Sequence, residues 1–412
     1  MALREPKDIL HKGQSLDRIL WAHSHWVLNE EEGAVRADLA GAKLFSVRLR
    51  SAVLPYADLA KADLHRADLQ RANLTEAEMT EVDLREADLR GANLQSAALP
   101  RAQLHRADLS GAILRDAVLD GADLIGTNLR GAQLQGASLA GARIYRADLC
   151  GTDLAEARLV EAEIVETRLC AARLHHTVLA SARLIATDLR GAHLQAVDFT
   201  SARLEQSWLG HTHVAQCELG RIIGLETARH FGPTWLDAKT LAVSQNLPAA
   251  FLYGAGVAAP GKTGTPAPVA DERNTPICFL AHSARDAEFA ERLRTDLMAN
   301  GVRCWFLPED VTWDFVELQR PAYDRLVLVC SRYSLHSRGV LQEGWRALDR
   351  EEAEKAAVLF PVRTDDYLEE WQDEKKDRLL AKSVGDFRNW KDHDLYTAAL
   401  QRLLEGLRSA PA

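Results

Sequence analysis

The sequence predicts a multidomain chain in which a β-solenoid is followed by an α/β domain built on a parallel sheet. Three observations predict it. Every fifth residue from Leu39 to Leu219 is large and apolar. Residues 256–273 are rich in Pro, Ala, Gly and Thr and have no period. From residue 274 onward, short apolar runs alternate with amphipathic stretches. The 412 residues, at roughly 100–200 per domain, leave room for two or three separate cores.

The repeat comes first. Its large positions are all Leu except Met79, Ile144, Ile164, Phe199 and Val214, and the frame never slips. Two residues before each stands a small one, mostly Ala, as at Ala37, Ala42, Ala62 and Ala67. A period of five fits neither the 3.6-residue helix nor the two-residue strand. It fits an extended triplet pointing in, out and in, followed by a two-residue corner. Asp or Asn at the outward position (Asp58, Asp63, Asp68, Asn73) and Gly at corners (Gly91, Gly111, Gly121, Gly131) suit tight turns. Coils of such triplets must pair backbone to backbone, about 4.8 Å apart, and so form a rod. The spacing alone leaves open how many triplets close one coil. An open coil presents unpaired edges, so covers are expected at both ends. Residues 1–33 supply one, with a helix within 8–30, and residues 221–255 the other.

Composition narrows the function. The chain is 47% hydrophobic, 26% charged and 6% aromatic, with formal net charge −9. Residues 34–220 carry 21 Lys+Arg against 24 Asp+Glu, and residues 274–412 carry 20 against 25. Neither part has the basic excess of a polyanion-binding domain, so nucleic acid is not an expected partner. The six cysteines (150, 170, 217, 278, 304 and 330) form no CxxC pair, which argues against a disulfide framework or a zinc site. No run of 18 apolar residues occurs, and the expected compartment is the cytoplasm. Outward His105, His193 and His213 read as a solvated face. His211 with His213 is the only spacing that suggests a metal, and no metal site is expected.

After the linker, Ile277–Ala281 reads as a buried strand and Asp286–Ala299 as a helix burying Phe289, Ala290, Leu293 and Leu297. Asn300-Gly301 supplies the stop. Val302–Phe306 and Arg325–Cys330 are the next strands, followed by a long charged helix over Leu335–Glu354. A fourth strand follows at Ala357–Val362, a short fifth at Val384–Phe387 and a last helix at Asp394–Leu407. This order suits one flavodoxin-like domain.

The A(D/N)LxX pattern of residues 34–220 resembles the pentapeptide-repeat family, which implies a right-handed quadrilateral β-helix of about twenty residues per coil. Some relatives mimic DNA with an acidic surface, but the balanced charge here speaks against that role. Residues 274–412 resemble a bacterial TIR (Toll/interleukin-1 receptor) domain. The resemblance rests on FLAHSARDAEFAERL at 279–293, GVRCWFLPED at 301–310, LFPVRTDD at 359–366 and GDFRNWKDHDLYTAALQRLLEGL at 385–407.

That resemblance implies one of two activities. Some TIR domains are non-catalytic adapters that act by protein–protein contacts. Others hydrolyse NAD at the nicotinamide–ribose bond, through a glutamate in a pattern like SxW(C/V)xxE. The matching stretch is Ser337-Arg338-Gly339-Val340-Leu341-Gln342-Glu343, with Gly339 at the Trp position and Glu343 as the catalytic carboxylate. Nicotinamide leaves as a neutral group, so a single negative charge near the oxocarbenium-like ribose suffices. Open α/β sheets bind ligands at the carboxyl ends of their strands, which makes His282, Ser283, Asp286 and Leu307 the candidate NAD-binding residues. Asp286 could equally cap the first helix, and Trp305 and Trp390 read as packing. NAD enters as substrate, with no cofactor. The resemblance further implies self-association through TIR domains, a protein partner on the rod and a role in bacterial innate immunity against phage.

Overall fold

The computed structural model describes residues 3–28, 35–257, 277–306 and 323–409. They fall into two compact units, residues 1–229 with 234–251 and residues 230–233 with 252–412.

In the first unit, Asp38 bridges Asp58, Asp58 bridges Glu78 and Glu78 bridges Ala98, all in parallel. Each coil therefore takes twenty residues, four pentads long. Leu39 N donates to the Asp58 carbonyl at 2.7 Å while Asp58 N donates to the Ala37 carbonyl at 2.9 Å. The same pair of bonds recurs along the rod. The apolar ladder is sealed: Leu39, Leu59, Leu99 and Leu139 are fully buried, each worth roughly 1.5–3 kcal/mol of transfer free energy. Outward Asp side chains tie the corners, as where Asp58 Oδ1 accepts from Ala60 N at 3.0 Å. The last residue of each pentad takes a left-handed backbone, φ 63° at Gly131 and 57° at Lys61. Gly adopts that conformation freely, which is why it recurs at the corners.

In the later coils, threonine often replaces the inward alanine. Its hydroxyl reaches the carbonyl of the residue 23 positions earlier. Thr167 Oγ1 donates to the Ile144 carbonyl at 2.7 Å, Thr177 to Leu154 at 2.8 Å and Thr212 to Leu189 at 2.9 Å. The buried hydroxyls are thus paired inside the core, as burial requires. One expectation needs correcting here. Cys150 and Cys170, far apart in sequence, stack in adjacent coils with Cα atoms 4.7 Å apart and form a disulfide. Cys217, Cys278, Cys304 and Cys330 are free and buried.

Side chains and strand segments close both ends of the rod. At the start, Arg4 pairs with Val47, and helix α1 (Leu16–Val27) lowers His23 into the core, where its Nδ1 accepts from Ala37 N at 3.0 Å. At the far end the last coil pairs in parallel with Thr234–Leu236 of the capping segment, and side-chain oxygens supply further acceptors. Gln216 N donates to Asp237 Oδ1, Cys217 N to Thr240 Oγ1 and Leu219 N to Ser244 Oγ. Asp237 also caps helix α2 (Ala238–Val243), and helix α3 (Ala249–Ala255) follows.

The second unit carries strand β1 (Ile277–Ala281), helix α4 (Ala287–Ala299), β2 (Arg303–Phe306), β3 (Arg325–Cys330) and helix α5 (Arg338–Glu354). After these come β4 (Leu359–Arg363), two short helices, α6 (Tyr367–Glu370) and α7 (Lys376–Leu380), β5 (Gly385–Asp386) and α8 (His393–Ser409). The five strands are parallel in the order β2-β1-β3-β4-β5. Alternate residues of β1 serve two cores. Cys278 and Leu280 pack with α4 and α8, and Phe279 and Ala281 pack on the α5 side. Gly301, at φ 82°, ends α4 where the sequence placed its stop. Trp305 is fully buried, and its Nε1 donates to the Gly254 carbonyl at 3.0 Å. Trp390 packs edge-on against Phe289. Both are packing residues. Among the described residues no helix is long and apolar enough to cross a membrane.

Two outcomes follow for the rod. Thr167→Val keeps the shape but strands the Ile144 carbonyl, so it should lower unfolding stability by about 1–2 kcal/mol, measurable as a shift of the urea midpoint. His211 is held down at about 4 by burial and, secondarily, by His213. As pH falls below the ordinary imidazole value of 6.5, the unfolded chain takes up a proton that the folded one refuses. The contribution is therefore intact above pH 6.5 and is lost down to about pH 4, on the order of 2–3 kcal/mol. Comparing unfolding at pH 7.5 and 4.5 in wild type and His211→Gln should show the smaller pH loss in the variant.

Candidate functional site

The strand order doubles back at β1, with β2 on one side of it and β3 on the other. The crevice outside the carboxyl ends of β1 and β3 is where open α/β sheets take ligands. Three of the residues singled out in the sequence leave β1 there: His282, Ser283 and Asp286.

Ser283 and Asp286 meet directly, with Ser283 Oγ donating to Asp286 Oδ2 at 2.8 Å. The same carboxylate oxygen accepts from Ser331 Oγ and from Ser334 Oγ, each at 2.6 Å. Ser283 N donates to Ser334 Oγ at 2.8 Å, and Ser334 N donates to Ser331 Oγ at 3.0 Å. All three serines are buried. Asp286 makes no side-chain cap to α4, so the capping alternative is replaced by a clasp that ties the end of β1 to the end of β3. His282 turns aside: its Nδ1 donates to the Ser283 carbonyl at 2.8 Å, and its ring meets Phe306 edge-on with centroids 4.9 Å apart. Leu307 lies outside the described residues.

From the clasp the chain runs on to Glu343. Ser334 begins the short turn Ser334–His336. Ser337 then caps α5, its side chain accepting from Val340 N, and Glu343 sits in the second turn of that helix. It is 3% exposed. Burial pushes its carboxyl above the usual range, and the Arg346 guanidinium pulls the other way. Glu343 Oε1 accepts from Arg346 Nη1 at 2.7 Å. The hydroxyl of buried Tyr323 feels the same carboxylate and is pushed up to about 12, chiefly by burial.

The other acids of α5 have plain structural work. Glu351 Oε1 accepts from Val358 N at 2.8 Å and Leu359 N at 2.9 Å and so anchors the start of β4. Asp349 and Glu352 face Arg378, and Glu354 pairs with Arg350. Glu343 is the buried one among them, and among the described residues its hydrogen bond is to Arg346 of the same helix. A buried carboxylate is expensive even when paired, and such groups cluster at functional sites.

A metal has little to hold it. Among the described residues, Asp63, His65 and Asp83 bring ligand atoms within 4.8 Å of one another on the rod. Asp83, however, is taken by Arg85 at 2.6 and 2.8 Å, and Asp63 by His65 at 2.8 Å. The His213 ring stacks on His193 at 4.7 Å and the His211 ring tilts against Trp235.

Ser331, Ser334 and Arg346 were not singled out in the sequence. The signal for the first two was a Ser-x-x-Ser directly after an apolar strand, at the end where ligands bind. Replacing Asp286 by Ala leaves three buried hydroxyls without their acceptor. It should lower the unfolding free energy of this unit by about 3 kcal/mol, with Asp286→Asn losing less, as read by denaturant titration.

Comparison with known proteins agrees with both halves. Pentapeptide repeats, in eight copies, match residues 35–71, 67–105, 102–141, 137–175 and 177–213. A TIR domain matches residues 278–404. No curated protein matches the chain. Among solved structures, HetL is a pentapeptide repeat protein involved in heterocyst differentiation regulation in the cyanobacterium Nostoc. It is 28% identical, covering 47% of this chain and 85% of its own, with a TM-score of 0.29. QnrB1, a plasmid-mediated fluoroquinolone resistance protein, is 15% identical, covering 50% of this chain and 92% of its own, with a TM-score of 0.33. A further similar structure is Rfr23 from the cyanobacterium Cyanothece, 30% identical over 29% of this chain and 62% of its own, with a TM-score of 0.15. The chain is a pentapeptide-repeat protein with a C-terminal TIR domain.

Proposed function

We propose that this TIR signalling protein hydrolyses NAD at the nicotinamide–ribose bond when its TIR domains are clustered, with the rod as the sensing or assembling part. The observation that carries the reading is Glu343: the carboxylate at the position of the catalytic glutamate is buried, and among the described residues its hydrogen bond is to Arg346 of its own helix. In the reaction the C–N bond to nicotinamide breaks, its electron pair leaves with the neutral base, and water adds to the ribose carbon to give ADP-ribose and a proton. A buried negative charge opposes the growing positive charge on the ribose far more strongly than one in water. The strand order β2-β1-β3-β4-β5 supports a flavodoxin-like reading of the domain, and the rod is read as right-handed. His282 and the 307–311 segment remain proposed contacts for the dinucleotide, and NAD depletion in phage-infected bacteria is the proposed setting, in the cytoplasm.

A second reading, a non-catalytic adapter that acts through its TIR surface, is favoured by one observation. Asp286 is committed to three serine hydroxyls, which occupy the ends of β1 and β3. One experiment separates the two. Concentrated full-length protein is incubated with NAD and free nicotinamide is followed. Release that falls at least a hundredfold in Glu343→Ala supports the enzyme; no release from clustered wild type leaves the adapter.

A further inference from the structure

We propose that Arg346 is the positioning cation of the site: it keeps the buried Glu343 carboxylate ionised and aimed, and without it the group is a neutral acid that cannot stabilise the ribose cation. The inference rests on the NAD-cleavage reading.

The geometry is specific. Arg346 stands three residues after Glu343, about one helical turn away, so both side chains leave α5 on the same face. Its side chain is 43% exposed while that of Glu343 is 4% exposed. The guanidinium thus keeps part of its contact with water while its Nη1 reaches inward to Glu343 Oε1 at 2.7 Å. That arrangement brings a positive charge to a buried negative one without burying a second ion, which limits the desolvation cost.

Other groups facing the carboxylate do not share the task. Tyr323, from the segment before β3, is buried and neutral at physiological pH, being pushed up to about 12. Arg350, one further turn along α5, is committed elsewhere. Its Nη1 donates to the Tyr323 carbonyl at 2.9 Å, its guanidinium lies over the Tyr323 ring at 4.9 Å, and it pairs with Glu354. Among the described residues Arg346 is the one cation bonded to Glu343. That bond engages Oε1.

A guanidinium stays charged at any relevant pH, so the pairing opposes the push of burial on the Glu343 carboxyl. Remove it and burial acts unopposed: the carboxyl shifts toward its protonated form, and an acid limb enters the neutral part of the activity profile.

The test is made on full-length protein labelled with carbon-13 at the glutamate side-chain carboxyl. The Glu343 signal is assigned by its absence in Glu343→Gln and titrated in wild type, Arg346→Met and Arg346→Lys. The Glu343 midpoint should move upward in Arg346→Met and return toward wild type in Arg346→Lys, which restores the charge without the fork. Nicotinamide release at pH 7 should fall roughly tenfold in Arg346→Met and recover as pH is raised to 9, with KM little changed. An unmoved midpoint in Arg346→Met overturns the inference whether or not NAD is cleaved. A moved midpoint with no nicotinamide from wild type supports the charge-holding role and overturns the NAD reading alone. Activity lost equally at every pH, with the midpoint unmoved, assigns Arg346 to structure and overturns the inference.

Discussion

A polar group taken out of water is costly without a partner, and that constraint shapes both halves. In the rod it is met by repetition, since each inward-turned backbone group pairs with the coil above or below. Where an inward alanine becomes threonine, the added hydroxyl is paired at once by a carbonyl already in the stack. At the far end, where repetition stops, Asp237, Thr240 and Ser244 supply the oxygens that a further coil would have given. In the TIR domain the same demand is met by single clasps. Asp286 collects three hydroxyls, and Glu351 collects two backbone amides.

Against that background Glu343 stands out. It lies in the interior, and among the described residues it is bonded by Arg346 of its own helix. A residue selected only for stability could have been apolar there, facing the same neighbours without the desolvation penalty. The α5 helix therefore holds two kinds of carboxylate side by side: those that fasten the fold, and one that the fold has to accommodate.

How much of this was legible in the sequence depends on the range of the interaction. The five-residue period needed no tertiary information, because burial of Leu at every fifth position is written directly in the chain. The coil length did need it: pairing of Asp38 with Asp58 is a fact about register, which the period alone leaves open. The same blindness hid Cys150 and Cys170, which look scattered until twenty residues are known to make one turn. In the TIR domain the strands and helices followed from apolar runs and the Asn300-Gly301 stop. Glu343 was singled out by its local pattern. The partners of Asp286 were not, since Ser331 and Ser334 reach it across 45 and 48 residues from a different strand. Arg346 was legible only as another charge on a charged helix, since its bond to a buried Glu343 appears only in the fold.

The twenty-residue coil also governs how such a rod can change over evolutionary time. Gaining or losing one whole coil keeps every later side chain on its original face and merely alters the reach. Gaining or losing a single pentad preserves the apolar ladder just as well, yet rotates everything beyond it by a quarter turn. Length and facing are therefore tuned in separate steps by the same genetic event, duplication of a short segment. A lineage could re-aim whatever surface the distal coils display without touching one residue of the core.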